Sequence, residues 1–281
     1  MENFQLKYRI DNKYANQVRR ANFQFLVIPE STEKQFVTDL RFSCSGTQNF
    51  HLSKNIFGFD TIQYYEDKPF VEFSFKLSAK IEKRSINPYN FIPTSEEYDF
   101  KLLNSLEFYI DHHLFLMPTE LTKLDSMDEI NYHSYTGESN VFDYAQALNS
   151  FIFKFLSYSP KSTTISTVVH DILAHKKGVC QDYAHLFIAI CRYNGIPARY
   201  VSGYLNQGAD FTGSTQLHAW AEVFIPNQGW IGFDATNNLL VDHHYVKVAH
   251  GTDFQDCSPF IGVLESTGAQ KSIHTVNLMN Q

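Results

Sequence analysis

The sequence predicts an α+β fold, on three observations. Aromatic residues alternate with polar ones through the first third of the chain, the period of half-buried strands. Helical spacing of three and four residues then takes over, from about residue 96 to residue 193. Short β-patterned runs joined by a turn sequence follow the last helix, which argues for helices packed on an antiparallel sheet.

Taken in order, residues 1–95 read as a β-rich N-terminal domain. Phe4, Leu6, Tyr8 and Ile10 alternate, Phe23, Phe25 and Val27 repeat the pattern before Pro29, and Val71, Phe73, Phe75, Leu77 and Ala79 give a third run. The composition changes after Asn87-Pro88-Tyr89 and Pro93-Thr94-Ser95, so residues 96–281 are expected to form a second domain ending in a C-terminal tail. Ser95 opens a helix whose apolar positions are Tyr98, Leu102, Leu106, Tyr109 and Ile110. Residues 118–140 read as a long connection. Tyr144, Leu148, Phe151, Ile152 and Phe155 mark a second helix, and Ile165, Val168, Val169, Ile172 and Leu173 a third. The fourth begins near Val179 and stops at Asn194-Gly195-Ile196-Pro197, where Asn or Gly takes a left-handed cap and Pro follows. Its apolar stripe is Cys180, Tyr183, Ala184, Phe187, Ile188 and Cys191. Strands are expected at 199–204, 218–224 and 230–233, the last two joined through Pro226-Asn227-Gln228-Gly229.

Composition removes several function classes. A net charge of −7 gives no basis for electrostatic capture of nucleic acid or an acidic membrane surface. Residues 1–10 lack the apolar run of a signal peptide, no segment approaches the roughly 18 apolar residues of a membrane span, and cytoplasm is the default compartment. Four cysteines in a chain of 281 residues do not resemble a disulfide framework. On one helix, Cys180 and Cys191 would lie about 16 Å apart, too far for a disulfide or a shared zinc ion. No phosphate loop, dinucleotide glycine pattern or zinc signature is present, so no cofactor and no metal is expected. His112-His113 and His243-His244 are neighbours that would point apart on a helix or strand.

Three residues could carry chemistry. Cys180 stands at the start of the fourth helix, where unpaired N–H groups and the helix dipole favour a thiolate; a small buried thiol is the plainer alternative. His218 shares a strand face with Trp220 and Glu222, and a packed histidine would look the same. Asp234, in Asp-Ala-Thr-Asn, could orient that histidine or simply cap the turn. Register separates the readings. If Phe224 pairs with Trp230, His218 and Asp234 become diagonal neighbours on one face, with backbones roughly 7–8 Å apart. A one-residue slip would put Asp234 on the other face.

These motifs resemble the transglutaminase-like superfamily, in particular its bacterial branch of cysteine proteases. The resemblance rests on Gly178 to Leu186, Cys191-Arg192, Gly195 to Tyr204, His218 to Val223 and Gly229 to Asn237, core motifs spanning 178–237. Weaker similarity covers the early strands with Phe57-Gly58-Phe59, and the tail from Val248 to Pro259. It implies a papain-like core with a Cys at a helix N-terminus, preceded by a β-rich domain. It also implies Cys180 as nucleophile, His218 as base and Asp234 as its orienting acid. Thiol acyl transfer on an amide bond of a peptide, protein or small amide follows, through a thioester that water resolves; an amine acceptor or an idle binding module are the alternatives. The oxyanion would be met by the Cys180 backbone N–H. Animal transglutaminases supply a second donor from an upstream Trp; Trp220 and Trp230 are both downstream, which leaves Tyr158 as the candidate. Ala235 stands where the family commonly has Pro, and His250, Thr252, Cys257 and Ser258 depart from its usual tail.

Overall fold

The computed structural model describes residues 1–127, 130, 132, 134–206, 212 and 217–280. Six strands come first: β1 (Glu2–Val18), β2 (Ala21–Phe25), β3 (Gln35–Cys44), β4 (Phe50–Lys54), β5 (Asp60–Glu66) and β6 (Phe70–Lys83). Helices α1 (Glu96–Leu103), α2 (Leu106–Leu116) and α3 (Val141–Phe155) follow. Then come a two-residue strand β7 (Ser157–Tyr158), α4 (Val169–His175), its partner β8 (Lys177–Gly178) and α5 (Cys180–Tyr193). The chain continues through β9 (Ala198–Leu205), β10 (Leu217–Ile225), β11 (Gly229–Asp234), β12 (Leu239–Leu240) and β13 (Tyr245–Gly251) to β14 (Phe260–Leu264) and β15 (Gln270–Asn280).

The aromatic alternation of the first third builds a sandwich. One sheet has the order β15-β1-β6-β3 and the other β14-β2-β5-β4. Their inner faces meet through rings: Phe25 stacks on Phe75 at 4.0 Å, and Phe23 lies 4.6 Å from Phe73. Such contacts combine large apolar burial with a preferred geometry, which fixes the pairing of the two sheets. The expected division at residue 95 needs correction at the far end of the chain. Residues 260–280, assigned by sequence to the second domain, lie in the sandwich, with β14 on β2 and β15 on β1. A continuous buried core also joins the sandwich to the helical half.

The helical half departs from expectation in two places: the third expected helix begins only at Val169, with Ile165 exposed before it, and the first is divided. The helix read from Ser95 onward is two helices, because Asn104 caps α1 and the Ser105 hydroxyl accepts from Phe108 N–H to start α2. Its expected apolar stripe is largely in solvent: Tyr98, Leu106, Tyr109 and Ile110 are exposed, whereas Phe108 and Leu116 point inward. Asp99 is buried because its carboxylate caps two segments, accepting from Val141 N–H at 2.8 Å and from the Thr94 hydroxyl. Of the expected 118–140 connection, residues 128, 129, 131 and 133 lie outside the described residues; Leu121, Thr122 and Ile130 are buried.

Helix α5 is the axis of this half. Every residue from Gln181 to Arg192 is buried, so the helix is enclosed on all sides and its apolar stripe faces more than the sheet: Tyr183 donates to the Leu156 carbonyl while Phe187 stacks on Phe233. That sheet is antiparallel, in the order β12-β11-β10-β9-β13. Gly195, with φ +71°, takes the left-handed cap, and Arg192 donates to the carbonyls of Ala198 and Thr252, tying the helix end to the strands.

Candidate active site

The start of α5 is shaped by Asp182. Its Oδ2 accepts from Val179 N–H at 2.7 Å and from the Thr163 hydroxyl at 2.6 Å, which closes the first turn and leaves Cys180 as the first helical residue. Gly178 is required for this approach, since a Cβ there would lie 2.5 Å from Asp182 Cβ. The parallel pairing of Tyr158 with Gly178 brings the β7 strand alongside. Cys180 is half-buried, and its thiol is free.

The β10–β11 register is the one that the catalytic reading needs. Phe224 pairs with Trp230 and Ala221 with Phe233, so the next position sets Asp234 opposite Trp220. His218 Nε2 meets Asp234 Oδ2 at 2.7 Å, with both side chains fully buried. Asp234 performs both roles that its sequence allowed. Oδ1 accepts from Thr236 N–H at 3.0 Å and caps the turn, while Oδ2 also accepts from Asn237 Nδ2 and the Tyr245 hydroxyl, each at 2.8 Å. Burial opposes charge on both partners. For the imidazole it is outweighed by Asp234 and by the nearby Cys180 thiol, so the His218 pKa is raised; for the carboxylate it is outweighed by His218 and the other donors, so the Asp234 pKa is lowered.

Cys180 and His218 line one cavity of about 410 Å³, which also receives Tyr158, Tyr200 and Ser202. With Asp234 holding Nε2, the imidazole has Nδ1 left for the thiol side, and this atom makes no other hydrogen bond among the described residues. The arrangement can pass a proton between sulfur and ring while the carboxylate fixes the ring.

Residues 129–235 match the family model of the transglutaminase-like superfamily, a span that contains Cys180, His218 and Asp234. Over this segment the chain is similar to the transglutaminase-like superfamily. A candidate cysteine protease from Cytophaga hutchinsonii, known by crystal structure, shares the fold over 99% of this chain and 90% of its own, with a TM-score of 0.79 and 24% identity. An uncharacterized protein of Mycobacterium tuberculosis is 38% identical over 181 residues, 61% of this chain and 55% of the relative. The match thus spans about half the length of that relative. A protein-glutamine gamma-glutamyltransferase of Pseudomonas aeruginosa is 35% identical over 83 residues, covering 27% of this chain and 12% of its own.

Two members of this site were missed in the sequence. Tyr245 lies on β13, which neither neighbours β11 nor shares a motif with it, so no local spacing announces the contact. Asn237 could have been found, because it closes the same turn motif as Asp234. Tyr158 is 40% exposed at the cavity, its phenol pKa raised by burial and by Cys180. Cys257 is buried in the wall of the same cavity as a free thiol.

The histidine pairs also need a correction. His243 and His244 occupy a turn, where the pointing-apart rule does not hold; their rings lie 4.1 Å apart, and with Asp242 they offer three ligand atoms within 4.8 Å of one another. Those residues could hold a cation, which the sequence reading had set aside. Among the described residues no helix is long and apolar enough to cross a membrane.

Proposed function

We propose that the chain is a thiol-dependent acyl-transfer enzyme that cleaves amide bonds of a peptide, protein or small amide through Cys180, His218 and Asp234. The observation that carries this reading is the buried His218–Asp234 hydrogen bond, set behind a cavity that His218 shares with a cysteine at a helix start. Cys180 Sγ attacks the carbonyl carbon with its proton held on His218 Nδ1, where the raised pKa of the ring keeps it. The oxyanion that forms is met by the Cys180 backbone N–H and the Tyr158 hydroxyl. The C–N bond breaks, the amine leaves with the proton from His218, and a thioester remains. Water then attacks the thioester, giving its proton to His218, and the carboxylic acid leaves as Cys180 recovers its proton. Throughout, Asp234 holds the ring by Nε2 and stabilises the imidazolium.

The test is a screen of peptide and simple amide substrates with wild type and Cys180→Ala, quenched in acid and weighed intact. Wild type should release amine and show an acyl adduct on the Cys180 peptide, absent from the variant. Equal turnover by Cys180→Ala would overturn the reading. Release of ammonia from a glutamine substrate only when an amine is supplied would replace hydrolysis by cross-linking.

A further inference from the structure

The inward-facing positions of β6 run Phe73, Phe75, Leu77, Ala79 and Ile81, and end in Lys83. Strand alternation gives this lysine no choice of face: one position further along, the core stripe simply continues. Lys83 is 6% exposed and forms no ion pair or side-chain hydrogen bond among the described residues. An ammonium in such a place is costly unless something pairs with it.

Lys83 lines a cavity of about 530 Å³ between the sandwich and the outer face of the five-stranded sheet, a size and position typical of small-molecule sites. Its far wall holds Trp220, Trp230 and Tyr245. An ammonium can only donate, so the group that completes it is an acceptor. The other charges on the cavity are already engaged or peripheral. Glu222 is held by Arg199 at 2.6 Å and Lys247 at 2.7 Å, and Asp242 by His244 at 3.0 Å. Lys34 and Arg84 stand at the rim, with Glu30 opposite. One further negative charge balances Lys83, whereas a dianion would meet Glu30, Glu222 and Asp242 at short range. Burial holds the Lys83 ammonium down at about 8, with Asp242 and Glu222 partly opposing the fall. A bound monoanion would reverse that shift.

We propose that this cavity binds a small ligand through a carboxylate, which pairs with Lys83 Nζ while the apolar body lies against Trp220, Trp230 and Phe91. The site is separate from Cys180 and stands or falls independently of the thiol chemistry.

The chain has two tryptophans, and both line this cavity, so selectively excited tryptophan emission reports on it, and the Lys83 variants separate that response from any at the neighbouring His218. Sodium benzoate, titrated at constant ionic strength, should change that emission saturably in wild type and equally in Cys180→Ala. Lys83→Met should weaken the response at least about tenfold, the loss expected for one charged hydrogen bond, while raising the thermal midpoint of the free protein. Lys83→Arg should retain binding. In wild type, benzoate should protect Lys83 from acetylation, read by peptide mass, which keeps the test open should Lys83→Met misfold. No saturable response, unchanged binding by Lys83→Met, unprotected Lys83, or tighter binding of phosphate than benzoate would each overturn the proposal.

Discussion

A single carboxylate, Asp234, shows how much one side chain can be asked to do. It is fully buried, receives two backbone N–H groups on one oxygen and three side-chain donors on the other, and its charge is thereby held on. Asp234→Asn keeps the shape but removes the counter-charge of the imidazolium and favours the wrong tautomer. Turnover on whichever amide proves to be the substrate should fall by on the order of a thousandfold or more, with the fold intact by circular dichroism. Tyr245→Phe removes one donor to that charge and should destabilise the protein by about 1.5–3 kcal/mol, measured by urea unfolding. The pair also sets a pH dependence. The raised pKa of His218, about 10, gives stability that is complete below its unfolded value of about 6.5 and drains away as pH climbs toward 10. The lowered pKa of Asp234 gives stability present above about 3.9 and lost on acidification below it. The wild-type thermal midpoint should therefore decline between pH 6.5 and 10 more steeply than that of His218→Ala; parallel declines would mean that the imidazole is not charged in the folded state. Cys180, His218 and Asp234 were legible in the sequence because each sits at a boundary that the sequence marks: a helix start, an alternating strand, a turn. Tyr245 and Lys83 were not, since each acts across elements that only the folded sheets bring together.

Elements were legible where their burial is one-sided. The runs of β1 and β6 put every second side chain into one core, and alternation alone recovers them. Helices α1 and α2 were misread because their exposed faces carry Tyr98, Leu106, Tyr109 and Ile110, so apolar spacing there does not report burial. The start of α5 is decided by backbone closeness. Gly178→Ala would place a Cβ 2.5 Å from Asp182 Cβ and 2.7 Å from its Oδ2. The clash involves the atoms that cap the helix, so the first turn must shift. We expect a loss of about 1–3 kcal/mol, the usual range for overpacking, together with slower alkylation of Cys180 by iodoacetamide. Unchanged stability and unchanged alkylation would show that Asp182 does not set the position of the thiol.

At the scale of the molecule, the end of the chain returns to its beginning. β15 pairs with β1 from Phe4↔Asn280 to Tyr14↔Gln270, and β14 pairs with β2 from Phe25↔Phe260 to Ala21↔Leu264. Each therefore forms the edge of one sandwich sheet beside the strand that the sequence assigns to the first domain. The helical half is threaded between these pairings, so sandwich and site share one continuous core. Removing residues 260–281 would leave β1 and β2 as open edges, uncover Phe23 and Phe25 from Phe260, and strip Val276 and Leu278 from the core. Exposed hydrophobic edges of that length invite pairing between chains. The shortened chain should aggregate on expression or melt well below the full one. Val276→Asp is the milder form of the same test: it buries an unpaired carboxylate at a 5% exposed position and should cost several kcal/mol while leaving every residue of the triad in place. If both proteins kept the full-length thermal midpoint, the sandwich would be stable without its C-terminal strands, and the chain would divide near residue 95 as its composition first suggested.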